Sequence, residues 1–226
     1  MLVWSDEFDG TALDLERWKH RYPGPRKDGI NDPEASVLDG EGHLVLTCSR
    51  KEDKVHVGMI CTDGRYGARY GFFEARVQLQ TQEGLWPGFW LMGNAVAAPG
   101  SGKGILDDTA RNGTEIDIFE YLRIRGDQVQ HALHWNGYGA AHKSFGAHPR
   151  IPGLMSGFHT FGCEWTPESY RFFVEGIETF QTSQAISQVP EYIILSGEEN
   201  SWPGDIARAK LPDKVVFDYV RVWQKP

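Results

Sequence analysis

The sequence predicts an all-β protein, an antiparallel sandwich or barrel, and three observations carry that prediction. Runs rich in Val, Ile, Phe, Tyr and Trp follow one another closely along the chain. Turn residues such as Asp39-Gly40, Asp63-Gly64, Thr166-Pro167 and Glu175-Gly176 separate them. No amphipathic stretch longer than about 10 residues has helical spacing. In chain order the predicted strands are His43–Arg50, Val55–Thr62, Gly71–Leu79, Leu85–Gly93, Thr114–Leu122, Gln128–Trp135, His159–Thr166, Ser169–Gly176, Glu191–Glu198 and Lys214–Trp223. The first two carry Leu44-Val45-Leu46 and Val55, Val57 and Ile60 ahead of an Asp-Gly turn. The next two hold Phe72-Phe73 and Trp86, Phe89 and Trp90, and the fifth holds Ile116, Ile118 and Phe119. The remainder are β-branched or aromatic in the same way, ending in Val215-Val216-Phe217 and Tyr219-Val220. Leu13–Trp18 is long enough for one short turn. Such closely spaced strands without helices are the signature of a sandwich or barrel. The segments Tyr22–Ser36, Asn94–Asn112 and Ala140–Gly157 exceed simple connectors, and loops of that length shape binding clefts. No linker composition divides the chain, so residues 1–226 are expected to form one domain.

The chain has 226 residues, 40% of them hydrophobic and 24% charged, with a net charge of −8. That is enough for a hydrophobic core. The acidic balance, with no basic stripe, excludes nucleic acid and an anionic membrane surface as partners. Three cysteines, Cys48, Cys61 and Cys163, exclude a disulfide framework, and no Cys/His spacing suggests zinc. The charge-free stretch Gly84–Gly102 holds five Gly and two Pro, so it is no membrane span. Met1 leads directly into a folded-looking start. The expectation is a secreted or periplasmic protein whose leader has been replaced by Met1, with a cytoplasmic protein as the alternative, and a monomer in either case.

The most informative segment is Thr114-Glu-Ile-Asp-Ile-Phe-Glu-Tyr-Leu122. Side chains alternate along a strand, so Glu115 and Asp117 share one face while Ile116 and Ile118 face the core. Strict alternation would put Phe119 in water and bury Glu120 alone, which is costly. One extra residue at Ile118-Phe119, a β-bulge, removes both faults and returns Glu120 to the face of Glu115 and Asp117. Glu115 and Glu120 then stand on the order of 13 Å apart at Cα, at roughly 3.3 Å per residue, with side chains able to lean together over Asp117. Carboxyl groups about 5–5.5 Å apart are what a retaining glycosidase uses, one as nucleophile and the other as acid and then base. Like charge would lift Glu120 above the ordinary carboxylate value near ~4.3. A solvated strand face and a calcium site are the competing explanations of three carboxylates.

Trp86 and Trp90 share a strand face with Gly88 between them, and indole rings stack on the apolar faces of sugars. Two core tryptophans would give the same pattern. Trp202 lies in a loop-like Ser-Trp-Pro-Gly segment and is a further platform candidate. If Gln128–Trp135 pairs with the acidic strand, His134 could steady the acid/base carboxylate. Asn31 and Arg65 sit in or near loops and could bind hydroxyls.

Glu115-Ile-Asp-Ile-Phe-Glu120 resembles the E-x-D-x-x-E active-site strand of glycoside hydrolase family 16. Tyr70-Gly-Phe-Phe-Glu-Ala-Arg-Val77 followed by Gly84-Leu-Trp-Pro-Gly-Phe-Trp-Leu91 is similar to that family's central block. Trp4–Gly10 resembles its N-terminal strand, Phe158–Gly162 with Glu164–Pro167 its FHxxxxEWTP strand, and Asp218–Val222 its closing strand, in the right order along nearly the whole chain. The resemblance implies a β-jelly roll of two sheets with a concave cleft. It implies Glu115 as nucleophile, Asp117 as assistant and Glu120 as acid/base, with Trp86 and Trp90 lining the sugar subsites. No catalytic cofactor is implied. A structural calcium on the convex side is a feature of many members, and Glu7 and Asp218 stand at positions similar to its ligands. The expected substrate is a polysaccharide or oligosaccharide, foremost a β-1,3-glucan. The His134–Gly139 segment departs from the common laminarinase continuation and keeps a β-galactan open. The same scaffold could also serve a transglycosylase or a non-catalytic carbohydrate-binding module.

Overall fold

The computed structural model describes residues 1–96 and 112–226. Most of the expected Asn94–Asn112 loop therefore lies outside the described residues. Two antiparallel sheets face each other, as predicted for a jelly-roll sandwich. One runs in the order Lys143–Ala147, Val129–Trp135, Glu115–Tyr121, Leu85–Met92, Tyr192–Glu199, Met59–Cys61, Lys19–His20. The other runs Ile177–Thr182, Tyr170–Val174, Phe158–Trp165, Gly71–Gln78, Asp213–Trp223, Leu44–Lys51, Lys54–Val57, Gly29–Asn31, Gly24–Arg26. Leu2–Asp6 pairs with Asp213–Trp223, and Ser36–Leu38 with Leu44–Lys51. One pairing in this second sheet, Gly29–Asn31 with Lys54–Val57, is parallel.

Inward side chains from both sheets form the core, with Phe73, Phe89, Phe119, Phe161, Phe172, Phe217 and Trp165 all fully buried. Phe119 and Phe161 meet across it with ring centroids 4.2 Å apart. Burying a side chain of that size contributes about 1.5–3 kcal/mol, which is what holds the backbone turned at the acidic strand.

Sequence expectations change at several places, and the first is the Tyr22–Ser36 segment, which is not all loop because Gly24–Arg26 and Gly29–Asn31 form strands there. The expected strand Val55–Thr62 is two strands, one in each sheet, broken at Gly58. A Cβ at Gly58 would sit 2.3 Å from the Ala35 carbonyl oxygen, so only glycine lets the chain cross between the sheets there. The Ala140–Gly157 segment is not all loop, because Lys143–Ala147 forms an edge strand. Ile177–Thr182 is a strand as well, joined to Tyr170–Val174 through Glu175 (φ 53°) and Gly176 (φ 71°), a two-residue turn with both φ positive. At the N-terminus the strand is Leu2–Asp6, which begins earlier and ends sooner than the Trp4–Gly10 segment that resembles the family's N-terminal strand. All three cysteines are free and buried. Among the described residues, no helix is long and apolar enough to cross a membrane.

Candidate active site

The site lies on the seven-stranded sheet, where one irregularity sets its geometry. Asp117 pairs with Ala132 and Glu120 with Gln130, so Ile118 and Phe119 together stand opposite the single residue His131. On the other flank Phe89 pairs with Phe119 and Trp90 with Asp117, which skips Ile118. This is the bulge the sequence calls for. It sends Phe119 inward, and it lets Glu115, Asp117 and Glu120 line one cavity together. His131, fully buried, fixes the bulge: its Nδ1–H donates to the Ile118 carbonyl at 2.6 Å while Nε2 lies 2.9 Å from the Thr179 hydroxyl. Burial pushes its imidazole down to about 4, so the ring is neutral at pH 7.

Glu120 is held at both oxygens. Trp86 Nε1–H donates to one at 2.8 Å and Gln130 Nε2 to the other at 2.6 Å. The Tyr138 hydroxyl donates to Glu115 Oε2. Asp117 lies between them, 3% exposed, with His134 Nε2 3.4 Å from its Oδ2. Single donor atoms of Glu115, Asp117 and His134 all fall within 4.8 Å of one another. Burial first and mutual repulsion with Glu115 second push Glu120 up to about 7, against the pull of its two donors. Burial pushes Glu115 up to about 7 as well, opposed by Tyr138, and Asp117 is raised for the same reasons. The trio therefore takes up protons as a coupled set in the neutral range, not as three ordinary carboxylates.

The cavity, about 370 Å³, is floored by Trp86, Gly88 and Trp90 and walled by Arg21, Tyr22, Arg26, Lys27, Ser196 and Glu198. A Cβ at Gly88 would crowd this floor, meeting Trp90 Cδ1 at 3.2 Å and the Phe119 carbonyl oxygen at 3.4 Å. Both tryptophans line the cavity, but each already carries a cation. Lys27 Nζ stands 3.9 Å from the Trp86 ring centroid and the Arg21 guanidinium 4.9 Å from that of Trp90. Trp90 is only 7% exposed, its Nε1–H bonded to Ser196 Oγ at 3.0 Å.

Other sequence candidates sit elsewhere. His134 stands opposite Glu115 and nearest Asp117, so it does not steady Glu120 as expected; Gln130, on the same strand, does that with Trp86. The His134 ring stacks on His142, with Nδ1 to Nε2 at 2.9 Å, and burial pushes it down to about 4. Asn31 is 4% exposed and spends its amide on the Arg21 carbonyl at 3.0 Å; it supports the cavity wall and is not among the lining residues. Trp202 packs edge-on against Trp86 at 4.7 Å, outside the lining. Arg65 is exposed in a turn. The expected calcium ligands do not form a donor set: Glu7 is chelated by Arg221 (2.7 and 3.1 Å), and Asp218 is paired with Arg76 at 2.5 Å. Each of these carboxylates is answered by an arginine instead. The sequence did not point to Tyr138, Gln130, Ser196, Glu198 or the cationic wall. Gln130 followed from the expected hairpin once the bulge set the register; the others come from loops or a neighbouring strand.

Three carboxylates of one strand lining an indole-floored cavity on one face of a β-sandwich are the arrangement of a glycoside hydrolase. The chain belongs to the glycosyl hydrolases family 16, whose model matches residues 30–221. A beta-glucanase of Rhodothermus marinus is 27% identical over 99% of this chain and 85% of its own length. A keratan-sulfate endo-1,4-beta-galactosidase of Sphingobacterium multivorum is also 27% identical, over the whole chain and 55% of its own length. The first curated relatives are spanned to between 34% and 85% of their length. The laminarinase structure from Flavobacterium sp. UMI-01 shares the fold with a TM-score of 0.83 at 24% identity, over 99% of this chain and 100% of that one.

Proposed function

We propose that this chain is a retaining endo-β-glycosidase, foremost on a β-1,3-linked glucan, with Glu115 as nucleophile and Glu120 as acid/base. The supporting observation is that Glu115 and Glu120 enter one cavity from one strand, with Asp117 between them and different partners on each. Protonated Glu120 gives its proton to the glycosidic oxygen as the bond to the anomeric carbon breaks. Ionised Glu115 attacks that carbon from the opposite face and forms a glycosyl ester. Glu120, now a carboxylate, takes a proton from water; the water oxygen attacks the anomeric carbon and Glu115 leaves. Repulsion among the three buried carboxylates opposes their ionising together, so that one of the pair is ionised while the other is protonated near neutral pH. A β-galactan backbone is the second reading, favoured by a galactosidase relative as similar as the glucanase.

The test is the first-formed product followed by proton NMR. Cleavage of laminarin is expected to release the β-anomer before mutarotation; early α-anomer would overturn the assignment. Product masses from laminarin, mixed-linkage glucan and galactan then identify the backbone.

The hydrogen bond from Gln130 favours the charged form of Glu120 and so lowers its pKa. Gln130→Met removes it, the pKa rises, and Glu120 stays protonated to higher pH. The alkaline limb of the kcat/KM profile is expected to move up by about one unit, the equivalent of ~1.4 kcal/mol. An unmoved or lowered limb would show that another group sets it.

A further inference from the structure

The cavity wall facing the carboxylates is cationic, and the hydrolytic steps use none of it. Arg21, Arg26 and Lys27 come from one stretch, Arg-Tyr-Pro-Gly-Pro-Arg-Lys, in a chain of net charge −8. One carboxylate answers two of them. Glu198, 5% exposed, lies 2.7 Å from Arg26 and 3.1 Å from Lys27. Arg26 Nε is buried without a hydrogen-bond partner. Arg21 is the more telling group. It is 5% exposed, and its polar contacts are the Tyr192 hydroxyl at 3.5 Å and the thioether sulfurs of Met92 at 3.5 Å and Met59 at 3.9 Å. Among the described residues no carboxylate comes within ion-pair distance of it. The rings of Trp90 and Tyr22 hold its plane, at 4.9 and 4.5 Å from their centroids.

A guanidinium cannot shed its proton, and burying one without an anion is costly. Thioethers and a phenol at the edge of hydrogen-bond range do not repay that cost. Glu115 is near enough for the Arg21 charge to pull its carboxyl down, but its hydrogen bond comes from Tyr138 and it makes no direct ion pair with Arg21. A neutral hydroxyl would leave the charge uncompensated, whereas an oxyanion matches the planar fork of arginine in two parallel hydrogen bonds. The cations seated on Trp86 and Trp90 line the same cavity as Glu115, Asp117 and Glu120.

We propose that the subsite floored by Trp86 and Trp90 binds a sugar carrying an anionic substituent, a sulfate ester or a uronic carboxylate, anchored by Arg21 with Arg26 and Lys27 beside it. This rests on the glycosidase assignment and adds the substrate's charge to it.

The test uses the full chain and matched polysaccharides: laminarin and galactan, each in native, sulfated and C6-oxidised form. Binding is measured with Glu115→Gln by affinity electrophoresis, so that it does not depend on turnover. At least one anionic form is expected to bind about tenfold more tightly than its neutral parent, the weakening by salt to be confined to that form, and the sulfated and oxidised arms to tell the two substituents apart. Arg21→Met, which suits a site between Met59 and Met92, is expected to bring the preference down to about twofold or less. Lys27→Met, at an exposed position, gives a partial loss and keeps the test valid if the Arg21 variant fails to fold. Equal or weaker binding of every anionic form, or no binding of any, overturns the proposal. Cleavage of the neutral forms in that case leaves the glycosidase assignment standing. Selective anion binding by a wild-type protein that cleaves nothing supports this subsite and overturns the glycosidase assignment instead.

Discussion

Glu115→Gln is expected to lower kcat on the best polysaccharide by at least ~10⁴-fold while the protein stays folded. Removing the nucleophile of a covalent mechanism costs rate on this scale, because what remains is binding and electrostatic stabilisation alone. Glutamine fills the same space, and its carbonyl oxygen still accepts from Tyr138, so the cavity keeps its shape. The same variant has a stability signature that a mere loss of activity would lack. Burial and mutual repulsion raise the three carboxylates above their ordinary values in the folded chain. The native state therefore binds more protons than the unfolded one, and their contribution falls as pH rises from about 4.5 to about 7. Taking away one member removes its own titration and its repulsion of the other two. Melting temperature in Glu115→Gln is expected to exceed that of the wild type at pH 8 and to converge with it toward pH 4. Turnover near the wild-type rate would remove Glu115 from the mechanism. A variant less stable than the wild type at alkaline pH would show that the carboxylates are not repelling one another.

The acidic strand was legible because pleat geometry and burial cost leave few choices. Phe119 in water and Glu120 alone in the core are both unfavourable, and a single inserted residue cures both; Phe119 does pack against Phe161. Which neighbour would hold Glu120 was harder to see. Gln130 and His134 lie on one face of the adjacent strand, so the choice depends on register, and the bulge itself shifts the register by one. Polar edge strands such as Ile177–Thr182 and Lys143–Ala147 have too little apolar alternation to stand out. Val55–Thr62 looked continuous because Val, Ile and Met run through it, and the break at Gly58 is imposed by the Ala35 carbonyl, which comes from elsewhere in the chain. Glu7 and Asp218 were expected as metal ligands from the resemblance alone; their counter-ions, Arg221 and Arg76, become their neighbours only once the strands have paired. Tyr138 and the cationic wall come from loops and short edge segments, where no long period constrains which way a side chain turns.

Glu120→Ala is expected to separate the two chemical steps. On polysaccharide the leaving oxygen must be protonated, so kcat/KM should fall by about 10²–10⁴-fold. An aryl glycoside whose nitrophenolate leaves without a proton should form the glycosyl ester at nearly the wild-type rate, then stall, because no base remains to activate water. The expected kinetics are a burst of nitrophenolate followed by slow turnover. Azide, a nucleophile that needs no base, should relieve the stall by attacking the anomeric carbon as Glu115 departs, giving a β-glycosyl azide. The control is Glu120→Gln. In the alanine variant Trp86 Nε1–H and the Gln130 amide both lose their acceptor, and orphaned buried donors cost about 1–3 kcal/mol each. Glutamine restores an acceptor for one of the two donors and fills the space, without restoring an acid. Comparable losses on polysaccharide in both variants, with the larger fall in melting temperature confined to alanine, would assign the kinetic effect to proton transfer and the thermal one to packing. Equal losses on the polysaccharide and on the aryl glycoside would instead mean that Glu120 holds the sugar and donates no proton.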